Sequence, residues 1–480
     1  MVWKYFLRQW SADGGLREVL NVAIPLVLST GAWSVQHFVD RMFLSWYSPE
    51  AIAAAMPAGI LIFTFMSFFI GVASYVNTFI AQYHGAGMDE KVGPCLWQGM
   101  YVAFFGGVII LFLIPLAGPI FGFIGHEKGV SVYEKEYFEY LCLGAYPVIA
   151  SSALSGFFSG RGRTWPVMWV NTASTAVNLG LDYILIFGHW GMPEMGIKGA
   201  AIATVVSGFF SLASYLVLIA APVYNKRFHT LKGWRPDSDL LAGLLRYGIP
   251  SGVQFFLDMA GFTAFILLMG RLGTINLAAT NIAFNINTLA FMPMIGFGIA
   301  ISVLVGQYLG KDRPDLAQKS VYSGFVMTFG YMFTVAALYV IVPDIFVMPF
   351  AANADPARFD EIYRLTVMLL KFVALYSIFD TMNIIFASAI KGAGDTRFVM
   401  NIIVTGSFFV LVIPTYIAIE LLGCGLMAGW TIASVYVIIM GVIFYMRFAG
   451  GKWKQMRVIE RPNPVICTER PECPVIDLET

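Results

Sequence analysis

The chain has 480 residues, of which 58% are hydrophobic and only 12% are charged, and its formal net charge is +1. Ordinary globular domains carry about 25% charged residues, so this composition excludes a soluble enzyme and a disordered chain. The near-zero net charge also excludes a nucleic-acid binder, which needs a basic face. The class that remains is an integral membrane protein.

Long apolar segments follow one another along the chain and predict membrane-spanning helices. A helix needs about 20 apolar residues to cross a bilayer, and these segments are continuous over that length. Strands of a membrane barrel would instead show alternating segments of about 10 residues. Breaks of Gly, Pro and charge divide the apolar sequence into twelve predicted spans: 17–44, 52–83, 92–116, 136–158, 165–187, 197–221, 241–270, 276–308, 316–341, 362–390, 397–421 and 425–448.

The composition of the breaks predicts the domain organisation. The longest polar break lies in the middle of the chain, and the C-terminal residues are rich in charge and Pro. We therefore expect four regions: an N-lobe of spans 1–6 (1–221), an inter-lobe loop (222–240), a C-lobe of spans 7–12 (241–448) and a flexible tail (449–480).

The distribution of Lys and Arg predicts the orientation. If the N-terminus is cytoplasmic, 22 of these residues fall on the cytoplasmic side and 8 on the other. Positive residues are enriched in cytoplasmic loops, so both termini, the inter-lobe loop and the tail are expected in the cytoplasm. The start of the chain shows no cleavable signal peptide. The expected location is the plasma membrane or, in a Gram-negative cell, the inner membrane.

Two halves of the sequence repeat one another. A shift of 225 residues aligns Ile24-Pro25 with Ile249-Pro250 and Gln82-Tyr83 with Gln307-Tyr308. Further along, a shift of 232 aligns the Gly-x-Gly-x-Thr motif that begins at Gly160 with the one that begins at Gly392. Similar Gly and Ala content alone does not explain motifs that recur at matching loop positions. Since each half has six spans, the halves enter the membrane in the same sense, which is a parallel repeat typical of transporters.

Four aspartates stand deep in predicted spans: Asp40, Asp182, Asp258 and Asp380. A carboxylate inside a bilayer costs at least a few kcal/mol and usually faces a cavity or a partner. Asn178 and Asp182 are four residues apart and share a helix face, and Gln36 and Asp40 have the same spacing. Such a pair can hold a small cation or a proton. The alternative is a structural role as a hydrogen-bonded acid near a helix end.

Two prolines occupy equivalent places in spans 1 and 7. Pro25 and Pro250 each remove an internal hydrogen bond and are expected to bend their helices. A bend in span 1 could couple the charge state of Asp40 to helix shape, so both prolines are candidate hinges. A static kink is the alternative.

At these residues the sequence resembles the multidrug and toxic compound extrusion (MATE) family of the MOP flippase superfamily. The resemblance covers roughly residues 16–448. Its marks, in chain order, are Pro25 with Asp40, the Ala-Gln-Tyr-x-Gly segment ending at Gly85, Asn178-x-x-x-Asp182-Tyr183, the Gly196-x-x-Gly-Ala-Ala-Ile-Ala-Thr204 segment, Gly-Gln-Tyr-x-Gly at 306–310 and Lys391-Gly-x-Gly-Asp-Thr-Arg397.

The resemblance implies an all-α membrane fold of two six-helix lobes around a central cleft. It implies an antiporter that exports organic cations or drugs in exchange for H⁺ or Na⁺, and a monomer with the lipid bilayer and small molecules as its partners. In one branch of the family the coupling residues match Asp40, Asn178, Asp182 and Thr204. In another branch an acid in span 7 and an Asp in span 10 match Asp258 and Asp380. With Gln36, these two form a candidate substrate or second cation site.

Other functions are less consistent with the sequence. A flippase for lipid-linked oligosaccharides, from the same superfamily, would need a large cationic cavity, whereas the intramembrane charges here are mainly acidic. An enzyme is not expected, because the sequence has neither an H-E-x-x-H nor a G-x-S-x-G motif. We expect no resident metal or cofactor beyond the coupling ion. Because neutral oxygens accompany its carboxylates, the N-lobe set is favoured as the coupling site.

Overall fold

The computed structural model describes residues 10, 12–124, 128–351 and 356–460, and these form helices and turns. Twelve helical spans follow in the predicted order. Their bounds are α1 Leu16–Tyr47, α2 Pro49–Gly85, α3 Asp89–Ile124, α4 Lys128–Leu143 with Ala145–Gly160, α5 Trp165–Phe187, α6 Ile197–Ile219, α7 Ser238–Gly270, α8 Thr274–Gly310, α9 Pro314–Ile341, α10 Pro356–Ala393, α11 Thr396–Leu421 and α12 Leu426–Ala449.

Ten of these helices are individually long and apolar enough to cross a membrane. The two pieces of α4, which meet at an angle of 45°, make an eleventh span. The twelfth is α5, whose 23 residues include several polar side chains that lower its apolar content. The predicted fold of twelve membrane helices is confirmed. The span that is not apolar enough to qualify by length and composition is the one that carries Asn178 and Asp182.

Two spans extend well beyond their predicted limits. The first piece of α4 begins eight residues before the predicted start at 136, in a segment that contains Glu134 and Lys135. Glu134 is fully buried, so an apolar pattern could not reveal this part of the helix. Span α3 continues past the predicted end at 116 to Ile124, through a short 3₁₀ turn that contains Pro115.

The lobes meet through the same contact made twice. Helix α2 of the N-lobe packs on α7 of the C-lobe, and α8 packs on α1. A Cβ added to Gly71 would lie 2.7 Å from the Cα of Gly252, and one added to Gly296 would lie 2.8 Å from the backbone nitrogen of Val27. Since the shift of 225 relates Gly71 to Gly296 and Val27 to Gly252, the parallel repeat is visible in the packing. Glycine is needed at both points because the backbones approach too closely for a side chain.

The segments that follow the sixth and twelfth spans are also related. After α6, a short helix (Pro222–Phe228) places Arg227 Nε 2.7 Å from an oxygen of Asp89, the first residue of α3. After α12, Arg457 Nη2 lies 2.8 Å from Asp312 Oδ1 in the turn between α8 and α9. In each lobe the segment that follows the last span is therefore held close to the point where the third span begins.

This docking corrects one sequence-based expectation. Residues 449–460 were expected to begin a flexible tail, but Lys452–Gln455 form a 3₁₀ turn and Trp453 is 1% exposed. The Trp453 ring stacks on Phe448 with ring centres 4.9 Å apart. The remainder of the predicted tail, 461–480, lies outside the described residues. The lobe boundaries at 221 and 241 remain predictions.

Candidate functional site

A line of polar side chains joins α1 to α5 inside the N-lobe. Asn171 Nδ2 donates to Ser29 Oγ at 2.6 Å, and about one helical turn further on Thr175 Oγ1 donates to Gln36 Oε1 at 3.4 Å. Buried polar groups need partners of this kind. The line explains why α5 remains stable in the bundle despite its polar composition.

This line ends in a buried cluster of Asp40 from α1 with Asn178 and Asp182 from α5. In the amide orientation that satisfies its neighbours, the Asn178 nitrogen donates to Asp40 Oδ1 at 3.1 Å and to Asp182 Oδ2 at 3.2 Å. The same nitrogen lies 3.2 Å from Gln36 Nε2. Asn178 and Asp182 are 0% exposed, and Asp40 is 7% exposed. The spacing of four residues on each helix thus brings all four side chains together.

The two carboxyl groups of this cluster lie close enough to interact directly. An ionised carboxylate only accepts hydrogen bonds, so a hydrogen bond between the two requires that one of them carries a proton. Asp182 Oδ1 is buried and has no hydrogen-bond partner among the described residues. The cluster therefore combines two neighbouring carboxyl groups with a free acceptor oxygen, which is a suitable arrangement for taking up and releasing a proton or a small cation.

Thr204 is not hydrogen-bonded to this cluster among the described residues. It is half-buried on α6, and its backbone carbonyl accepts a hydrogen bond from Ser207 Oγ at 2.9 Å. Within the described part of the chain, no hydrogen bond joins its hydroxyl to Asp40, Asn178 or Asp182. Of the four predicted coupling residues, the structure therefore brings three into contact, with Gln36 as their neighbour.

The C-lobe acids are arranged differently. Asp258 of α7 accepts a hydrogen bond from Gln254 Nε2 at 3.4 Å, and Asp380 of α10 accepts one from Asn383 Nδ2 at 3.0 Å. Each acid thus has its own amide partner on its own helix. The two carboxylates lie within electrostatic range of each other, and no hydrogen bond between them is found in the described residues.

A half-buried cation lies near one of these acids. Lys391 lies within electrostatic range of Asp258, near the end of α10, and its backbone carbonyl accepts a hydrogen bond from Tyr75 of the N-lobe at 2.8 Å. Sequence reasoning placed Lys391 in a loop because α10 was predicted to end at 390, whereas the helix continues to Ala393. A lysine at the last turn of a span, directly before a Gly-x-Gly motif, was the available signal.

Aromatic rings connect the two lobes beside these sites. Trp33 lies against His37 with ring centres 4.7 Å apart and against Phe63 of α2 at 5.7 Å. Phe63 in turn meets Phe255 of α7 at 5.9 Å in a T-shaped contact. Aromatic faces attract organic cations. Trp33 and Phe255 each stand three residues before a predicted site residue, a helical spacing that could have marked this aromatic surface from the sequence.

The two candidate hinges lie inside unbroken helices. Pro25 and Pro250 are both buried, and α1 and α7 continue on either side of them. Pro25 is two residues from Val27, which touches Gly296, and Pro250 is two residues from Gly252, which touches Gly71. Both prolines thus lie beside close backbone packing between the lobes, and their role as hinges remains a prediction.

The two halves that carry these sites correspond to a known family. The MatE family model matches residues 25–184 and 250–417, which contain all four aspartates. The chain belongs to the MatE family. One relative, a probable multidrug resistance protein NorM of Thermotoga maritima, is 25% identical over 93% of this chain and 94% of that protein. Another NorM, of Pseudomonas putida, is 30% identical over 80% of this chain and 83% of that protein.

Solved MATE structures share the fold. A MOP superfamily transporter from Pyrococcus furiosus superposes with a TM-score of 0.84 at 17% identity, covering 94% of this chain and 99% of that one. An outward-facing multidrug resistance MATE transporter superposes with a TM-score of 0.83 at 17% identity, covering 93% and 98%. The two-lobe, twelve-helix architecture expected from the resemblance is confirmed.

Proposed function

We propose that this MATE protein is a secondary active antiporter that exports organic cations in exchange for protons by alternating access of its two lobes. The buried cluster of Asp40, Asn178 and Asp182 carries the proposal. A hydrogen bond between two carboxyl groups holds one proton, and losing that proton changes the charge inside the N-lobe. The names of the NorM relatives support multidrug export as the direction of transport.

The cycle uses the two sites in turn. A cation enters the cleft along the aromatic rings of Trp33, Phe63 and Phe255, drawn by the negative charge of Asp258 and Asp380. Its arrival favours ionisation of the N-lobe pair, and the departing proton returns only when the cation has left. The bound substrate cation and the bound proton each weaken the binding of the other through charge repulsion. This mutual effect couples their exchange.

Protons fit the N-lobe cluster better than Na⁺. Na⁺ prefers several oxygen ligands at once, by analogy with other hard cations. Hydrogen bonding to both carboxylates favours the amide orientation in which the Asn178 nitrogen faces them, and in that orientation its oxygen is not available to a cation held between them. Na⁺ binding would require Asn178 to rotate, whereas the proton needs no rearrangement.

The remaining features of the proposal concern placement. Both termini and the residue 222–240 segment are cytoplasmic, from the distribution of Lys and Arg, and the protein is a monomer in the plasma or inner membrane. The flippase alternative is less well supported. A pyrophosphate carrier needs several cations at its site, whereas the cations within electrostatic range of the four carboxyl groups, among the described residues, are Arg41 beside Asp40 and Lys391 beside Asp258.

Transport in proteoliposomes tests the proposal. Purified protein is reconstituted with ethidium as the fluorescent cation, and H⁺ and Na⁺ gradients are imposed separately. A proton gradient should drive ethidium transport, and a Na⁺ gradient at equal pH should not. Transport driven by a Na⁺ gradient alone would show that Na⁺, and not the proton, is the coupling ion. Movement of a fluorescent pyrophosphate lipid with no response to either gradient would support the flippase.

A further inference from the structure

Two glutamines make the same hydrogen bond across the lobe interface. Gln82, near the end of α2, donates through Nε2 to the carbonyl of Gly392 at 3.0 Å. Gln307, near the end of α8, donates through Nε2 to the carbonyl of Gly160 at 2.8 Å. The repeat relates the donors by 225 residues and the acceptors by 232. Each lobe therefore uses its own glutamine to bind the Gly-x-Gly turn of the other lobe.

Close backbone packing fixes where the two glutamines point. A Cβ on Gly85 would overlap the carbonyl of Gln307, and a Cβ on Gly310 would overlap the carbonyl of Gln82. The ends of α2 and α8 therefore cross in direct backbone contact. Because neither side chain has to span a gap, both amides reach the opposite lobe, and Gln82 is 0% exposed.

Other contacts between the lobes gather at the same end of the bundle. Tyr308 Oη donates to Glu18 Oε2 of α1 at 2.6 Å, next to Gln307. Tyr75 Oη donates to the Lys391 carbonyl at 2.8 Å. We call this end, which also holds residues 12–15 and 450–460, the closed end. Opening it requires these bonds to break.

The segment after α12 adds a third partner to one of the glutamines. The backbone nitrogen of Val458 donates to Gln82 Oε1 at 2.8 Å. Arg457, the preceding residue, bonds to Asp312 of the C-lobe turn. The segment is thus anchored on the C-lobe while it holds the amide of an N-lobe residue, and it sets the orientation in which Gln82 donates to Gly392.

We propose that Gln82 and Gln307 form a reciprocal clasp that keeps the closed end shut, and that Val458 holds Gln82 in its bonding orientation. The clasp rests on the proposed alternating access, in which this end must open once per cycle. Its donors are neutral amides and its acceptors are backbone carbonyls, so its strength does not depend on the charge state of the aspartates. Both glutamines are positioning residues that set the balance between the two lobe arrangements.

Distance measurements between spin labels test the clasp. Labels are placed at Glu90 and Asp315, which are exposed at the closed end of opposite lobes, in a full-length protein whose five cysteines are replaced by Ser. Gln82→Leu and Gln307→Leu each remove one cross-lobe donor. Each should raise the ratio of long-distance to short-distance populations about fivefold, the ratio expected from the loss of one neutral hydrogen bond.

Gln98→Leu is the matched control. Gln98 is also a fully buried glutamine of the N-lobe, but its Nε2 donates at 3.0 Å to Pro94 on its own helix. Its Oε1 accepts a longer bond, of 3.4 Å, from the backbone nitrogen of Asp237 in the inter-lobe segment, and not from the Gly-x-Gly turn of the other lobe. The populations of this variant should equal those of the parent. If Gln82→Leu and Gln307→Leu change the populations no more than Gln98→Leu does, the clasp is wrong.

Val458→Pro tests the third partner without altering either glutamine. Proline lacks the donating N–H, so this variant should shift the populations in the same direction as Gln82→Leu, and it should add nothing in the Gln82→Leu background. Equal effects of Val458→Pro with and without Gln82 would contradict the orienting role. If the parent transports the cation and shows two label distances, but the glutamine variants have the same populations as Gln98→Leu, the clasp alone is refuted. A parent that neither transports nor shows a second distance would overturn both the clasp and alternating access.

Discussion

The two lobes share one fold but hold their acids in different ways. In the N-lobe, Asp40 and Asp182 come from two helices and both contact Asn178 in one buried cluster. In the C-lobe, Asp258 and Asp380 each bond to an amide on their own helix, and Lys391 lies within electrostatic range of Asp258. In the proposed mechanism, only the first arrangement holds an exchangeable proton. The second provides negative charge, with Lys391 nearby.

The fifth helices of the two lobes, α5 and α11, differ at equivalent positions of the repeat. The shift of 232 sets Val410 and Pro414 of α11 opposite Asn178 and Asp182 of α5. Two stretches of α11, Ser407–Val412 and Ile417–Leu421, are π-helical, whereas α5 is a regular α-helix. The C-lobe therefore lacks the i,i+4 pair of polar residues on its fifth helix. Its acids lie on α7 and α10 instead.

Neutralising the N-lobe pair should have the largest effect. Asp182→Asn removes the carboxyl group that shares a proton with Asp40, so transport driven by a proton gradient should fall to background. Asp258→Asn should keep its dependence on the proton gradient and change the apparent affinity for the cation. The measurement is initial transport rate against cation concentration in proteoliposomes, at several imposed pH gradients.

This comparison requires that both variants insert and fold. Monodisperse elution in size-exclusion chromatography and a far-ultraviolet circular dichroism spectrum like that of the parent are the folding controls. Asp380→Asn should resemble Asp258→Asn. If proton dependence is lost in the C-lobe variants and kept in Asp182→Asn, the roles of the lobes are reversed.

Removing the internal cation should have an intermediate effect. Lys391→Met leaves the two C-lobe acids without a nearby positive charge, so a cationic substrate should bind more tightly, by about tenfold for charges at the separations found near protein surfaces. The measurement is the dissociation constant for ethidium in detergent, by fluorescence anisotropy. Lys371→Met, on the same helix but exposed, is the control and should bind like the parent. Unchanged or weaker binding in Lys391→Met would remove Lys391 from the substrate site.

The smallest effect is expected at Thr204. Thr204→Val keeps the shape of the side chain and removes the hydroxyl, which makes no hydrogen bond to the acid cluster among the described residues. Transport rate and proton dependence should stay within about twofold of the parent, as for surface substitutions away from a site. A large loss of coupling would show that Thr204 joins the cluster in another lobe arrangement, and the N-lobe site would then include α6.

The sequence predicted most of the fold and part of the site. Hydropathy located all twelve spans, and α5 matched its predicted limits of 165 and 187. Helical spacing alone put Gln36 beside Asp40 and Asn178 beside Asp182. It could not show that the two pairs meet each other, because that depends on how α1 packs against α5.

What the sequence missed has identifiable physical causes. The charged start of α4 and the end of α10 at Ala393 lie outside apolar segments, so Lys391 was assigned to a loop. The ordered segment after α12 was expected to be flexible because it is polar, but Trp453 and Arg457 dock it on the C-lobe. The cross-lobe bonds of Gln82 and Gln307 were hidden because a repeated motif shows equivalence and does not show what each copy contacts.

Proton release on substrate binding tests the central claim most directly, because it needs neither a gradient nor a membrane. A saturating pulse of tetraphenylphosphonium is added to the purified protein in weakly buffered detergent solution, and a pH-sensitive dye counts the protons released. The parent and Asp258→Asn should release protons, and Asp182→Asn should release none at the same cation occupancy. Release that persists in Asp182→Asn and disappears in Asp258→Asn would contradict the assignment of the exchangeable proton to the N-lobe.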